Sequence, residues 1–398
     1  MANSNVGADS NSDDWPMFLH DSAHTGFTAS AGPTEPVELW RFPVGNDVFS
    51  SAAVVNGIVY VGGNDNIYAF NAYNGAKIWN YTTSDRVSSS PTVSGGVLFI
   101  GADDNVLALN ALTGTKIWNY PTEGQGSSSP AVVDGVVYIG SSEGNLYALN
   151  ASTGSKIWNY TVMNVGRGTV VKSSPGVVDG VVYFGALDGN VYALKASTGE
   201  KIWNHTVKLG VGSAPSVSKG IVYVCSDLGY LYALNATSGG EIWSFTVSDL
   251  LQRIQGYSPT VANGVVYVRS SDLGELYAID AHTGTQIWKN SGSFHVRGSA
   301  AISGDVVYSG TSALNASTGE EIWHFPTDGD KVYASPAVSN GVLYVASGDG
   351  NFYAIGEPLT TTPSSDPSFF LIALILTATA ILTVFGIALL VYFKKRKH

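Results

Sequence analysis

The sequence predicts an all-β fold: an eight-bladed β-propeller of four-stranded blades, closed by its N-terminal strand and followed by one C-terminal transmembrane α-helix. Three observations predict the propeller. One phrase, DGVVYIGSSEGNLYALNASTGSKIWNY at residues 134–160, recurs along nearly the whole chain. Each copy ends in a tryptophan: Trp40, Trp79, Trp118, Trp158, Trp203, Trp243, Trp288 and Trp323. Repetition at this period marks a solenoid, a propeller or an array. Composition agrees, because 46 glycines and 21 tyrosines with 13% charged residues suit short strands joined by tight turns. The two ends also carry complementary fragments. Residues 37–43, VELWRFP, are the end of a repeat without its beginning, and residues 335–355 are a repeat without its tryptophan strand. A ring joins them and removes the exposed sheet edges, whereas an open solenoid needs caps at both ends.

Each copy reads as four strands. The first follows Ser-Pro or its equivalent, as at Ser90-Pro91, Ser129-Pro130, Ser174-Pro175, Ala214-Pro215, Ser258-Pro259 and Ser335-Pro336. A two-residue turn comes next, such as Asn56-Gly57, Asp134-Gly135 or Asn340-Gly341; these pairs tolerate the positive φ that tight hairpins need. The second strand is an apolar run, VVYIG in the third copy, which suits a sheet stacked between two others. A turn such as Asp188-Gly189-Asn190 leads to the third strand, and a Thr-Gly turn leads to the tryptophan strand. The seventh copy lacks five residues between Val307 and Ala316 by comparison with the third, so its second hairpin is expected to be short.

Residues 1–13, MANSNVGADSNSD, are polar and acidic without apolar period and read as disordered. Residues 14–356 form the propeller, with Asp14 to Thr28, which holds Trp15, Met17 and Phe18, expected to lie as an irregular strap on its body. His20 and His24 stand four apart, the spacing of two metal ligands on one helical face, but no third ligand accompanies them. The single cysteine, Cys225, stands where sister copies carry a small residue and reads as a buried small side chain.

The stretch from Ala148 to Trp158, ALNASTGSKIW, has close copies at residues 193–203, 233–243, 278–288 and 313–323. It resembles the tryptophan-docking motif of pyrroloquinoline-quinone-like (quinoprotein-type) eight-bladed propellers, over roughly residues 14–356. The resemblance implies that each tryptophan docks on the neighbouring blade. It also implies, for the enzymes of that family, a quinone over the central axis with a calcium ion, a catalytic aspartate and a disulfide between adjacent cysteines. One cysteine cannot form that disulfide, and the long insertions of those enzymes are missing here. The expectation is therefore a non-enzymatic branch with no cofactor, no metal and no catalytic residue. That branch is similar to the propeller lipoprotein of outer-membrane barrel assembly, from which a C-terminal span departs, and to archaeal surface propellers.

Residues 357–368 are rich in Ser, Thr and Pro and read as a stalk. Residues 369–393 run for 25 positions without a charge, long enough to span a bilayer. Lys394-Lys-Arg-Lys397 follows at once, which makes 394–398 a cytoplasmic tail and the propeller extracellular. Six sequons agree with that side: Asn80, Asn150, Asn159, Asn204, Asn235 and Asn315. Asn71 and Asn110 occupy the turn position of Asn150 without a sequon, so these asparagines also have a turn role of their own. No basic stretch followed by an apolar core stands near the start. A leader upstream of Met1 is expected, and a tail-anchored protein facing the cytosol is the alternative.

A net charge of −11 argues against a nucleic-acid surface. No Ser-His-Asp pattern, zinc-ligand cluster or phosphate-binding loop stands out. One constellation does. The connections from the fourth strand of one copy to the first strand of the next should surround one mouth of the ring. They carry Arg86, Lys172, Arg253, Arg297 and Lys331, with Gln125, Gln255 and His295 nearby. Loops converging on one axis focus such a field on an anion. The expected role is a binding or scaffolding module for other envelope proteins or a surface polymer. The competitors are a quinone-dependent oxidoreductase and a sensor ectodomain working through a partner.

Overall fold

The computed structural model describes residues 13–45, 48–122, 128–162, 170–247, 257–270, 274–292, 295–329 and 331–357. The chain divides into two compact units, residues 1–357 and 358–398. The expected transmembrane helix and basic tail, the stalk beyond Glu357 and the N-terminus before Asp13 therefore lie outside the described residues. Among the described residues every regular element is a β-strand, and no helix is long and apolar enough to cross a membrane.

Eight blades follow one another, each built on four antiparallel strands; the seventh gains a fifth, Phe27–Thr28, paired parallel to Ala301–Ser303. The third shows the pattern: Ala131–Val133, Val136–Gly140, Asn145–Asn150 and Lys156–Thr161. The turn residues behave as their chemistry demands. Asp134 and Gly135 sit at φ 50° and 72°, and their counterparts from Asn56-Gly57 to Asn340-Gly341 are also left-handed, except in the seventh copy, where only Gly304 of Gly304-Asp305 has positive φ. In the seventh blade, Val306–Ser309 and Ser312–Asn315 are joined by Gly310 and Thr311 alone, the short hairpin expected. The eighth blade is completed from the other end of the chain, because Glu38–Pro43 pairs antiparallel with Asn351–Gly356.

The fourth strand of each blade carries a β-bulge before its tryptophan; in the third, Ala148 faces Trp158 and Leu149 faces Lys156. The extra residue, Ile157, turns outward at 48% exposure while Trp158 turns in at 9%. Trp158 then meets the next blade in two ways. Its Nε1 donates to the Ala196 carbonyl at 2.9 Å, and its ring lies under Gly199, where a Cβ would stand 2.7 Å from Cε3. The same pair of contacts joins Trp40, Trp79, Trp118, Trp203, Trp243 and Trp288 to Ala72, Ala111, Ala151, Ala236, Ala281 and Ala316. Among the described residues seven tryptophans thus hydrogen-bond to the following blade. Gly154 takes φ 71° against the Trp118 ring, so Gly154→Val should lose at least about 2 kcal/mol through a left-handed backbone and a steric clash. Calorimetry finding an unchanged Tm would refute that account.

Trp323 stands at the seam, where the eighth blade has no Ala-Ser-Thr-Gly turn to receive it. Its neighbour Tyr308, 5.9 Å away ring to ring, donates instead to the Pro33 carbonyl at 3.0 Å. The N-terminal segment fills the missing position.

Around the axis the serines before each first strand form a collar that strand reading alone does not reveal. The backbone N–H groups of Ser51, Ser90 and Ser129 donate to the hydroxyls of Ser90, Ser129 and Ser174, each at 2.9 Å. Ala214 donates to Ser258, Ser299 to Ser335 and Ser335 to Ser51 at the same distance, the last bond closing the circle.

The strap is more than a surface contact. The N–H groups at the middle of six first strands donate to its carbonyls: Val54 to Trp15, Val93 to Pro16, Val177 to Ser22, Val217 to Ala23, Val261 to Thr25 and Ile302 to Gly26, at 2.6–2.8 Å. Residues 15–26 therefore follow the inner strands of the ring, meeting the first, second, fourth, fifth, sixth and seventh blades in order, with Trp15 and Leu19 buried at 1% exposure. His20 and His24 do not share a helical face. Both have positive φ, 76° and 56°, in a chain of turns. His20 packs edge-on to Trp15, whereas His24 packs on Phe18 and has Nδ1 3.2 Å from the Pro215 carbonyl. Gly176 lies beside it where sister copies carry Ala, Ser or Thr; a Cβ there would be in ordinary contact with that nitrogen at 3.7 Å and closer, at 3.2 Å, to the Pro215 carbonyl. Cys225 is buried as expected, and burial pushes its thiol well above the usual range.

Candidate functional site

The strap binds the turn side of the ring, through Asp14 Oδ1 to the Asn56 amide and the Ala31 carbonyl to the Gly341 amide. The opposite mouth is formed by the starts of the first strands. Equivalent positions before the serine collar hold Phe49, Ser88, Lys172, Gly212, Arg297 and Tyr333. Two residues earlier in their copies stand Arg86, His295 and Lys331.

These positions are not equal. Phe49 and Tyr333 pack with ring centroids 5.0 Å apart. The Arg86 guanidinium lies over Phe49, with Cζ 5.6 Å from the ring centre, and Arg297 lies over Tyr333 at 5.2 Å. A cation–aromatic–aromatic–cation row thus crosses the seam from the seventh blade to the entry of the second. Backbone pairing fixes one end: His295–Val296 runs parallel to Lys331–Val332, and the Arg297 amide donates to the Val332 carbonyl at 2.6 Å. Lys331 is exposed, its carbonyl held by the Gly348 amide at 2.6 Å. Lys172 is exposed too but belongs to the fourth blade, across the ring from the eighth. Arg253, Gln125 and Gln255 lie outside the described residues, as do the long connections after Trp158 and Trp243.

Of the predicted basic residues the structure therefore joins Arg86 to Arg297, through two aromatics the sequence reading passed over. The signal was present, since Phe49 and Tyr333 replace the small or cationic residues of other copies. Arg269 was also missed. It replaces a glycine of the second strand and lies buried at 7% exposure beside the shortened hairpin. Its Nη1 donates to the Gly274 carbonyl at 2.6 Å and Nη2 to Ser309, while Nε has no partner. Burial pushes its guanidinium down to about 10.

The acidic residues near the loops serve turns. Asp188 accepts from Tyr192 Oη at 2.5 Å and from the Asn190 amide at 2.9 Å. Asp349 accepts from Tyr353 Oη at 2.6 Å, and burial with that carboxylate pushes the Tyr353 hydroxyl up to about 12. A cleft of about 210 Å³ between the fourth and fifth blades is lined by Asp188 and Asp227, but Asp227 Oδ1 already accepts from the Gly212 amide.

The sequon asparagines fall into two kinds. Asn150, Asn235 and Asn315 use Oδ1 to accept the amides two and three residues on, at 2.9–3.0 Å, as Asn71, Asn110 and Asp280 do. Asn80, Asn159 and Asn204 lie on the outer strand and direct Nδ2 to Asn66, Asn145 and Asn190. The turn role holds whether or not a sequon is present.

A family described as outer membrane protein assembly factor BamB matches residues 33–194, 187–315 and 311–357. The chain belongs to that family. No curated protein matches it in sequence. Among solved structures, BamB from Moraxella catarrhalis is similar at TM-score 0.65 and 20% identity, over 83% of this chain and all of that one. The quinohemoprotein alcohol dehydrogenase of Comamonas testosteroni is similar at TM-score 0.73 and 18% identity, over 91% of this chain and 83% of that one. The computationally designed protein Ika8 is similar at TM-score 0.68 and 17% identity, over 82% and 100%. At these identities the structures share a fold; its neighbours include enzymes and an assembly factor alike.

Among the described residues no three His, Cys, Asp or Glu side chains stand together as a metal set. Six collar hydroxyls accept backbone N–H groups of neighbouring blades. Cys225 is the chain's single cysteine.

Proposed function

We propose that this chain is a non-catalytic binding propeller that scaffolds other proteins at the cell envelope. The observation that carries the reading is how the ring is used. Its inner strands on one side are bonded by its own strap, and at the opposite mouth the exposed Phe49, Arg86 and Arg297 gather about the half-buried Tyr333. Loops on a rigid scaffold are where binding is built. Assembly is also what the family's description names. In this reading residues 369–393 anchor the chain, 394–398 face the cytoplasm and the propeller stands outside.

Photo-crosslinkers at Ser88 and Phe49 in native membranes should capture a defined set of envelope proteins. The same probe at Lys219, on the strap side, should not. No capture, or equal capture from both faces, overturns the reading. Protease protection of the propeller in intact cells would reverse the orientation. A quinone-dependent oxidoreductase is the second reading, favoured by the likeness to the alcohol dehydrogenase fold. Addition of pyrroloquinoline quinone with calcium is expected to leave absorbance and Tm unchanged; a shift in either would support the enzyme instead.

A further inference from the structure

We propose that the seam row is a recognition site for a carboxylate-rich, extended peptide segment of a partner protein. The inference rests on the binding reading above and names the chemistry of its ligand. Three features carry it. First, the row is confined to one sector: the equivalent positions in the second and fifth blades are Ser88 and Gly212. Secondly, Phe49 is exposed at 37%, and Arg86 and Arg297 are exposed, although the ring tolerates Ser88 and Gly212 at the position of Phe49 and Arg297. Exposed aromatics and arginines of this kind supply the strong points of protein interfaces. Thirdly, among the described residues neither guanidinium has a carboxylate within ion-pair distance, in a protein of net charge −11.

The geometry selects carboxylates over sugar rings. Arg86 covers a face of Phe49, Arg297 covers a face of Tyr333, and the two rings pack on each other. Stacking surface for a pyranose is thereby taken. Each guanidinium, exposed and placed over its ring, carries an N–H fork suited to bidentate carboxylate binding. Two forks on either side of an apolar pair fit acidic side chains flanking an apolar one on an extended strand. Lys331, on the connection paired with that of Arg297, adds positive charge at one end.

The test uses the intact chain in detergent or nanodiscs and a fluorescent twelve-residue peptide of alternating glutamate and phenylalanine. The controls are the glutamine analogue and polygalacturonate. The expected result is salt-sensitive binding of the glutamate peptide, weakened about tenfold or more in the Arg86→Glu, Arg297→Glu double variant. Phe49→Ala should weaken it too, by freeing Arg86, while Lys172→Glu should change it little. Unchanged Tm in each variant secures the comparison. Equal binding of the glutamine analogue, equal loss in Lys172→Glu, or preference for polygalacturonate each overturns the proposal. If crosslinking captures envelope partners from the mouth while the double variant captures them equally well, the peptide site is wrong and the scaffold reading stands.

Discussion

Replacing Trp40 with alanine is expected to destabilise the propeller by about 3–5 kcal/mol, and to do so at the point where the ring closes. Trp40 lies on the strand that completes the eighth blade, at 7% exposure, with Phe70, Tyr344 and Phe352 all within 6.1 Å ring to ring. Its Nε1 donates to Ala72 of the first blade at 2.9 Å, and Tyr344 Oη donates to the same carbonyl at 3.3 Å. One side chain therefore holds the N-terminal strand in the last blade and the last blade against the first. Truncation leaves a cavity among aromatics and removes a bond across the seam. Trp40→Phe keeps most of the apolar contact and should lose only about 1 kcal/mol from the missing donor. Trp118→Ala removes a half-buried ring within the array and should cost less than Trp40→Ala. Thermal unfolding decides it; equal losses at Trp40 and Trp118 would mean that the seam is no weaker than any other joint.

The architecture was legible because each structural decision is made eight times. A turn that needs positive φ shows Asn-Gly in one copy, Asp-Gly in the next and Lys-Gly in another, so the shared glycine identifies the constraint. The two incomplete ends, 37–43 and 335–355, were equally readable, since neither buries its edges alone. Other features were not legible because they depend on proximity between distant segments. The serine collar needs Ser51 beside both Ser90 and Ser335, which only the closed ring provides. The strap's path needs six N–H groups brought to one axis. At the mouth, charge could be counted but not arranged: Arg86 and Arg297 meet through Phe49 and Tyr333, whereas Lys172 has equal claim in the sequence and stands across the ring.

Stability should fall by about 3 kcal/mol between pH 7 and pH 4, and His24 should account for it. Its ring is buried at 1% exposure, against Phe18 and the Pro215 carbonyl. Burial holds it down to about 4, opposed only partly by the Asp21 carboxylate and the Pro215 carbonyl. An unfolded histidine titrates near 6.5, so between about 6.5 and 4 the unfolded chain binds the extra proton and the folded chain does not. Stability then rises with pH through that window and is lost as pH falls through it. Asp21 acts in the same direction further down. Burial raises its carboxyl, but bonds and charge from His20 and the bonds from Thr25 outweigh this and hold it below the usual range. The loss should begin locally, because protonating His24 charges a ring that lies among carbonyls and apolar groups on the axis. Hydrogen exchange offers the clearest view. The amides of Val177, Val217 and Val261, bonded to strap carbonyls, should lose protection as pH approaches 4, before Val182 and Val222 in the second strands. His24→Gln should flatten the dependence over the same window. A variant with the wild-type slope would move the titration to another group and leave the strap with no part in it.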